Sequence, residues 1–424
     1  MSKRDLVFLC LLLPAFLTVV TPPLPAQPPA PTTPPPSAEE ADPGAGEPLT
    51  LREEIVVTAN RIESPADQVG SSVTVIGREE IERRHEPLVA DLLRTVPGVE
   101  VNQSGGPGTT AGVFLRGGNS NHTLVLIDGV RVTNTSGGFD FSSLRSDNVE
   151  RIEVLRGPQS TLYGSEAIGG VISITTRRGR PGFHFEADAR AGSFGTRELL
   201  VGADGGTGRF DYSLSVADRE ADGFSTASEL RGNTEDDPFS DLTASARLGA
   251  AFLGDGRVDL VFRHFDAEAG LDGFTFGVGP TDDPNYEQQR RLSVATLKVA
   301  KPVTSFWDLR FHASGNREKL EGTDPDTFFN AYDIRGRLFA AGVESDFKLG
   351  AGGVLLAGVS TERRDGENAG SYDESLDLDS AFLQNNWSWR GRLFVTAGVR
   401  HDSYSRFDDE TTWRVTGSYS LPAS

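Results

Sequence analysis

The sequence predicts a mainly β protein, in which a compact N-terminal α/β domain is followed by the antiparallel strands of a transmembrane β-barrel. Three observations lead there. Beyond Pro181, apolar and polar residues alternate strand after strand toward the end of the 424 residues. The connections between those strands alternate in length, and none of them carries the period of a helix able to cover a sheet.

The alternation comes first. Phe183, Phe185, Ala187, Ala189 and Ala191 share one face, and His184, Glu186, Asp188 and Arg190 share the other. Phe210, Tyr212, Leu214 and Val216 repeat the pattern against Asp211, Ser213 and Ser215, and Leu393, Val395, Ala397 and Val399 do so against Arg392, Thr396 and Arg400. One apolar and one polar face over ~10 residues suits a strand between lipid and a wet lumen. A soluble sandwich also alternates, but this run is long for one sandwich. Linkers at Gly205–Gly208 and Gly254–Gly256 are short, whereas Arg219–Ser240 and Glu268–Gln289 are long and acidic. That is the asymmetry between periplasmic turns and external loops, and about twelve strands are expected over residues 181–424.

Before the barrel, the chain reads as an exported protein. Lys3 and Arg4 precede an apolar run from Leu6 to Val20, with a small-residue site near Ala26, so residues 1–26 are expected to be a signal peptide. The run is short of the ~20 residues that a membrane-spanning helix needs. Eleven prolines lie between Thr21 and Pro48, and residues 27–52 are expected to be an extended spacer. The only cysteine, Cys10, lies in the signal, which leaves no disulfide or thiolate chemistry to the mature chain.

Residues 61–180 read as one modest mixed core. Ser72–Ile76, Val113–Leu115, Thr123–Ile127, Val149–Leu155 and Val171–Thr176 read as strands, with Arg78–Arg84 and Leu88–Thr95 as short helices. The excess of 61 acidic over 41 basic residues argues against nucleic acid as a partner. A soluble acidic enzyme fits the composition, but the six histidines are scattered and no catalytic constellation is visible, so no enzymatic activity and no required cofactor are expected.

Three motifs invite a functional reading. Glu54, Ile55, Val56, Val57, Thr58 and Ala59 form a short β-branched strand between spacer and domain. It is suited to adding an edge to another protein's sheet or to opening its own domain. The Gly-rich Gly105–Thr110 lacks the Gly-Lys-Ser/Thr of a phosphate cradle and reads as an apical loop or a tight turn. Carboxylates cluster in the two long loops, at Asp222, Glu235, Asp236 and Asp237 and at Asp272, Asp282 and Asp283. They offer the oxygen donors calcium takes or a solvated acidic surface.

At this point the sequence resembles the TonB-dependent outer-membrane receptors. The matching blocks are DLLRTVPGV (91–99), FLRG (114–117), LVLIDG (124–129) and VERIEVLRGPQSTLYGSEAIGGVISITT (149–176). VVTANR at 56–61 and LRGGNSNHTLVLIDGVRV at 115–132 resemble the vitamin B12 (cobalamin) receptor branch. The resemblance implies that residues 53–60 are a TonB box recognised by the TonB protein, and that residues 61–180 are a plug inside a barrel of about 22 strands. It further implies energised import of a large, scarce ligand across the bacterial outer membrane. A cobalamin-like corrinoid is expected, with a ferric siderophore as the alternative and a passive porin as the reading from a different class. Ser104, Gly105, Gly106, Gly108 and Thr109, with Thr133, Asn134 and Ser136, are then expected at the ligand. Calcium, which orders the loops in that branch, would be held by Asp222, Glu235, Asp236, Asp237, Asp272 and Asp283, with Ser225 standing where the family has Asp. Twelve strands against twenty-two, and an ending at Leu421–Ser424 without the family's terminal aromatic, lead the sequence to be read as a truncated barrel rather than a smaller complete one.

Overall fold

The structure, a computed structural model, describes residues 56–57, 61, 64–65, 68–132, 137–225, 227, 230, 232–327, 330–350 and 353–421. The expected signal peptide and spacer lie outside the described residues, as do Glu54, Ile55, Thr58, Ala59, Thr133, Asn134 and Ser136. Val56–Val57 form a short strand, β1, whose backbone pairs antiparallel with β2 (Ser64–Pro65).

The N-terminal domain then runs β3 (Ser72–Gly77), α1 (Arg78–Arg84), α2 (Val89–Leu93), β4 (Val99–Gln103), β5 (Ala111–Leu115), β6 (Thr123–Ile127) and β7 (Val130–Arg131). It closes with β8 (Val149–Arg156), α3 (Ser160–Tyr163) and β9 (Gly170–Thr176). Helix α1 carries Glu79 and Glu80 in its first turn and Arg83 and Arg84 in its last, charges that oppose the helix dipole at each end. It stops at His85, in the left-handed region at φ 53°. The main sheet has the order β3-β8-β9-β6-β7, and its pair β6–β9 is parallel. TLVLI in β6 is buried throughout, the unbroken apolar run of a strand covered on both faces.

The barrel strands are β10 (Gly182–Ala191), β11 (Arg197–Gly206), β12 (Phe210–Ala221), β13 (Phe239–Phe252) and β14 (Gly256–Gly270). A small hairpin, β15 (Gly273–Thr275) and β16 (Gly279–Thr281), stands in the following loop. The wall continues with β17 (Glu287–Thr304), β18 (Trp307–Thr323), β19 (Tyr332–Lys348), β20 (Gly353–Asn368), β21 (Tyr372–Trp389), β22 (Leu393–Tyr404) and β23 (Glu410–Tyr419). All twelve wall strands pair with their sequence neighbours in one antiparallel sheet. The expected strand count therefore holds. No helix among the described residues is long and apolar enough to cross a membrane.

Phe183, Phe185, Phe210, Leu214 and Val399 stand exposed on the outer face. The inner face meets the N-terminal domain, as a plug inside a barrel requires, and inward polar residues such as Arg247 and Arg290 are buried against it. Val125, Ile127, Ile152, Ile172 and Ile174 share one core with Phe239, Phe265, Leu292 and Val294 of the wall. A second core joins Leu124, Leu155 and Tyr163 to Leu356 and Phe382. Each such large apolar side chain contributes about 1.5–3 kcal/mol by leaving water, so the domain is seated by two apolar patches.

Candidate functional site

Between the apolar patches, charged groups bridge domain and wall. Asp128, in the tight turn after β6, accepts from Thr176 N at 3.0 Å and Thr176 Oγ1 at 2.8 Å. Arg247 of β13 reaches across to Asp128 at 3.1 Å and to the Thr176 carbonyl at 3.2 Å, and its other side donates to Asp259 at 3.3 Å. Asp140 is held by the Ala111 and Ser142 amides at 2.8 and 2.9 Å and receives Arg290 of β17, which also donates to Glu318 at 2.8 Å. Glu166 takes Arg131 at 2.6 Å and Arg364 of β20. Burial pushes the Glu166 carboxyl up, but the two guanidiniums more than offset this and hold it below the usual range. Sequence reasoning did not single out these arginines, because an inward arginine has the same alternation signature whether it meets water or protein.

The apical loop is tied down by its own hydrogen bonds. Gln103 Nε2 and Thr109 Oγ1 both donate to the Gly106 carbonyl at 2.7 Å, and Ser104 N donates to the Thr110 carbonyl at 3.0 Å. Gly108 sits at φ +84°, and a Cβ there would lie 2.1 Å from the Phe239 ring. Its lack of a side chain therefore admits the barrel wall. Gly106 and Thr109 are buried as well, and Gly105 is half-buried. Ser104 remains exposed, and Asn102 and Thr110 are exposed beside it.

The long loops do come together. Glu235, Asp272 and Asp282 each place a carboxylate oxygen within 4.8 Å of the others. Asp282 accepts the Thr234 and Glu235 amides at 2.7 and 3.2 Å, and Ser225 Oγ donates to Asp282 at 3.2 Å. Asp282 thus belongs in the candidate set. Asp283 instead groups with Asp324 and Asp326. Asp236 is exposed, and Asp222 packs on Gly195, where a Cβ would stand 2.0 Å from its Oδ2. Asp237 is buried near Glu235. Burial and the charges of Asp237, Asp282, Asp272 and Asp283 push Glu235 up to about 7. Its Oε2 is shut off from solvent and accepts no hydrogen bond among the described residues. An orphaned buried oxygen among converging carboxylates suits a hard divalent cation.

The family model for the TonB-dependent Receptor Plug Domain matches residues 65–171. The "Vitamin B12 transporter BtuB" of Vibrio vulnificus is 30% identical over 388 residues, covering 87% of this chain and 61% of its own length. The chain belongs to the TonB-dependent receptor family. A second relative, the "Vitamin B12 transporter BtuB" of Photobacterium profundum, is 30% identical over 377 residues, covering 87% of this chain and 59% of that protein. This receptor chain therefore spans about three fifths of the curated relatives it matches. Among solved structures, the siderophore receptor PirA from Acinetobacter baumannii has a TM-score of 0.67 at 18% identity, covering 82% of this chain and 59% of that one. The ferric-catecholate import receptor Fiu from E. coli K12 also reaches 0.67, at 15% identity over 85% of this chain and 68% of that one. These two share the fold with the receptor. The family is one of outer-membrane β-barrel receptors and transporters, with the N-terminal domain as plug.

Proposed function

We propose that the receptor imports a cobalamin-like corrinoid across the bacterial outer membrane, driven by a TonB protein that grips residues 54–59. The observation that carries this reading is a plug seated by buried ion pairs inside a β wall. A diffusion pore has no use for such an obstruction, and a gated importer requires one. The cargo class is supported by the 30% identity to proteins named vitamin B12 transporters. In the test, cyanocobalamin protects Ser104, Asn102 and Thr110 of the purified receptor from hydrogen exchange or labelling, and ferric enterobactin does not. Protection by the ferric siderophore alone overturns the cargo.

Coupling is assigned to a strand of the receptor that joins a partner's sheet through its backbone. Proline at 57 removes the N–H needed for that pairing and fixes φ. Val57→Pro is expected to abolish uptake while ligand binding stays at the parental level. Loss of binding and uptake together would remove the coupling role.

Glu235, Asp272 and Asp282 would hold calcium, which supplies charge neutralisation that locks the two loops together. Without it, the raised Glu235 pKa sets the sign. Its contribution to loop order is full below its unfolded value of 4.5 and is lost as pH rises through about 7. In a chelator, protease cleavage within residues 222–238 is therefore expected to rise between pH 6 and 8, with calcium suppressing it. Asp282→Asn should weaken that suppression about tenfold or more. Cleavage indifferent to calcium at pH 8 overturns the site.

A further inference from the structure

Two adjacent strands of the wall, β18 and β19, differ from their neighbours in how they meet the plug. The two apolar cores draw on β13, β14 and β17 on one side and on β20 and β21 on the other. Arg247, Arg290 and Arg364, which reach plug carboxylates, sit on β13, β17 and β20. Between the Arg290–Glu318 pair nearer the long loops and the Arg310–Glu344 pair nearer the short turns, β18 and β19 turn six residues inward. These are Asn316, Ser314 and His312, paired with Leu338, Ala340 and Gly342. None of them is a carboxylate, a lysine or an arginine. Leu338 is buried but belongs to neither apolar core. At the short-turn end, Arg310 and Glu344 reach Arg61, which precedes the domain.

Ser314 is 4% exposed and Asn316 9%, and Ser314 Oγ and Asn316 Nδ2 have no hydrogen-bond partner among the described residues. An unpaired buried polar atom costs about 1–3 kcal/mol, and here two of them stand at successive inward positions of one strand. Thr296 of β17, also buried, lies opposite Ser314. The plug element that fronts this strip is β7. A Cβ on Gly129, just before it, would stand 3.5 Å from Lys298 Nζ of β17, and Arg131 within it meets Glu362 of β20 at 3.5 Å. The two residues of β7 form the edge of the main sheet and pair with β6 alone. An edge strand leaves a sheet by breaking pairs on one side only.

We propose that β7 is the part of the plug that yields, and that the cargo passes behind it along the inner face of β18 and β19, carried by Asn316, Ser314 and Thr296. Neutral donors and acceptors suit a corrinoid, whose rim bears carboxamides. A ferric catecholate is anionic, and the arginines of the flanking strands would hold it back through charge-assisted hydrogen bonds. The path rests on the corrinoid import proposed above and adds where in the wall it occurs.

Cys10 is the only cysteine, so an introduced thiol reports cleanly. Ser314→Cys is treated with a small polar maleimide in cells with an active TonB protein, beside Ser245→Cys at an inward, buried position on β13. With cyanocobalamin present, labelling of Ser314→Cys should rise roughly tenfold or more over de-energised cells, since a thiol reacts only when its surroundings open. Labelling of Ser245→Cys should not change. Ala340→Phe, which fills the strip, should cut uptake about tenfold or more while the purified receptor binds cyanocobalamin as the parent does. Ala341→Phe, on the outer face of the same strand, should leave both unchanged. The path is overturned by equal labelling at the two positions, by labelling at Ser245→Cys alone, or by labelling at neither while uptake continues. Parental uptake in Ala340→Phe overturns it too. A parent receptor that takes up no cyanocobalamin overturns the import reading itself, and the path with it.

Discussion

Replacing Arg247 with leucine should loosen the plug from the wall by about 3–5 kcal/mol, the cost of stranding a buried charge. Arg247 is 2% exposed, and Asp128 and Asp259 beside it are buried too. Their fates differ once the guanidinium is gone. Asp259 keeps Arg257 at 2.8 Å, whereas Asp128 keeps hydrogen bonds only to neutral partners, the Thr176 amide and hydroxyl, with Lys298 acting on it through charge alone. The loss should therefore concentrate at the Asp128 turn and appear as faster hydrogen exchange in β6 and β9 and as a plug that urea releases before the wall unfolds. The companion change separates charge from contact. In Arg247→Leu with Asp128→Asn, the asparagine still accepts from Thr176 N and tolerates φ 52°, so more than about 1 kcal/mol of the loss should return. If the double variant is no more stable than the single one, the stranded carboxylate is not the cause.

This contact also marks how far the sequence could be read. The twelve wall strands were legible because a two-residue period needs only local residues, as at Phe183 and Phe185, exposed on the outer face. The plug strands were legible for a related reason: TLVLI and GVISITT are too apolar for any place but a covered sheet. Which plug groups the inner polar face pairs with was not legible. Arg247, Arg290 and Arg364 look like lumen residues in sequence, and only the fold brings Asp128, Asp140 and Glu166 to them from more than a hundred positions away. The loop carboxylates show the same limit. Composition marked the two loops, but loop backbone decides whether Asp282 or Asp283 turns toward Glu235, and no periodicity governs a loop. Gly108 shows the limit again, because a glycine in a turn shows that something approaches closely without showing what. Here it is the Phe239 ring.

A glycine whose neighbour is backbone rather than side chain should be far less forgiving, and Gly170→Ala is expected to destabilise the plug by more than ~3 kcal/mol. Gly170 opens β9 between β8 and β6, pairing Arg156 on one side and Thr123 on the other. A Cβ there would fall 2.1 Å from the Leu155 carbonyl oxygen and 2.8 Å from Leu115 Cδ1. The carbonyl cannot swing aside, since it belongs to the strand that Gly170 must pair, and Leu115 is fully buried in the plug core. The backbone at φ +153° adds strain of its own for a residue with a side chain. Gly117 supplies the contrast. It sits at φ +74° with nothing within 4 Å of the added carbon, so Gly117→Ala should cost only the left-handed penalty of about 1–2 kcal/mol. Hydrogen exchange across β8 and β9 in the two purified variants measures both. Exchange in Gly170→Ala should rise by more than tenfold over that in Gly117→Ala, because about 1.4 kcal/mol is a factor of ten in the opening equilibrium. Equal exchange would mean that the β8–β9 junction yields to the extra methyl, and that backbone conformation rather than the Leu155 carbonyl explains the glycine.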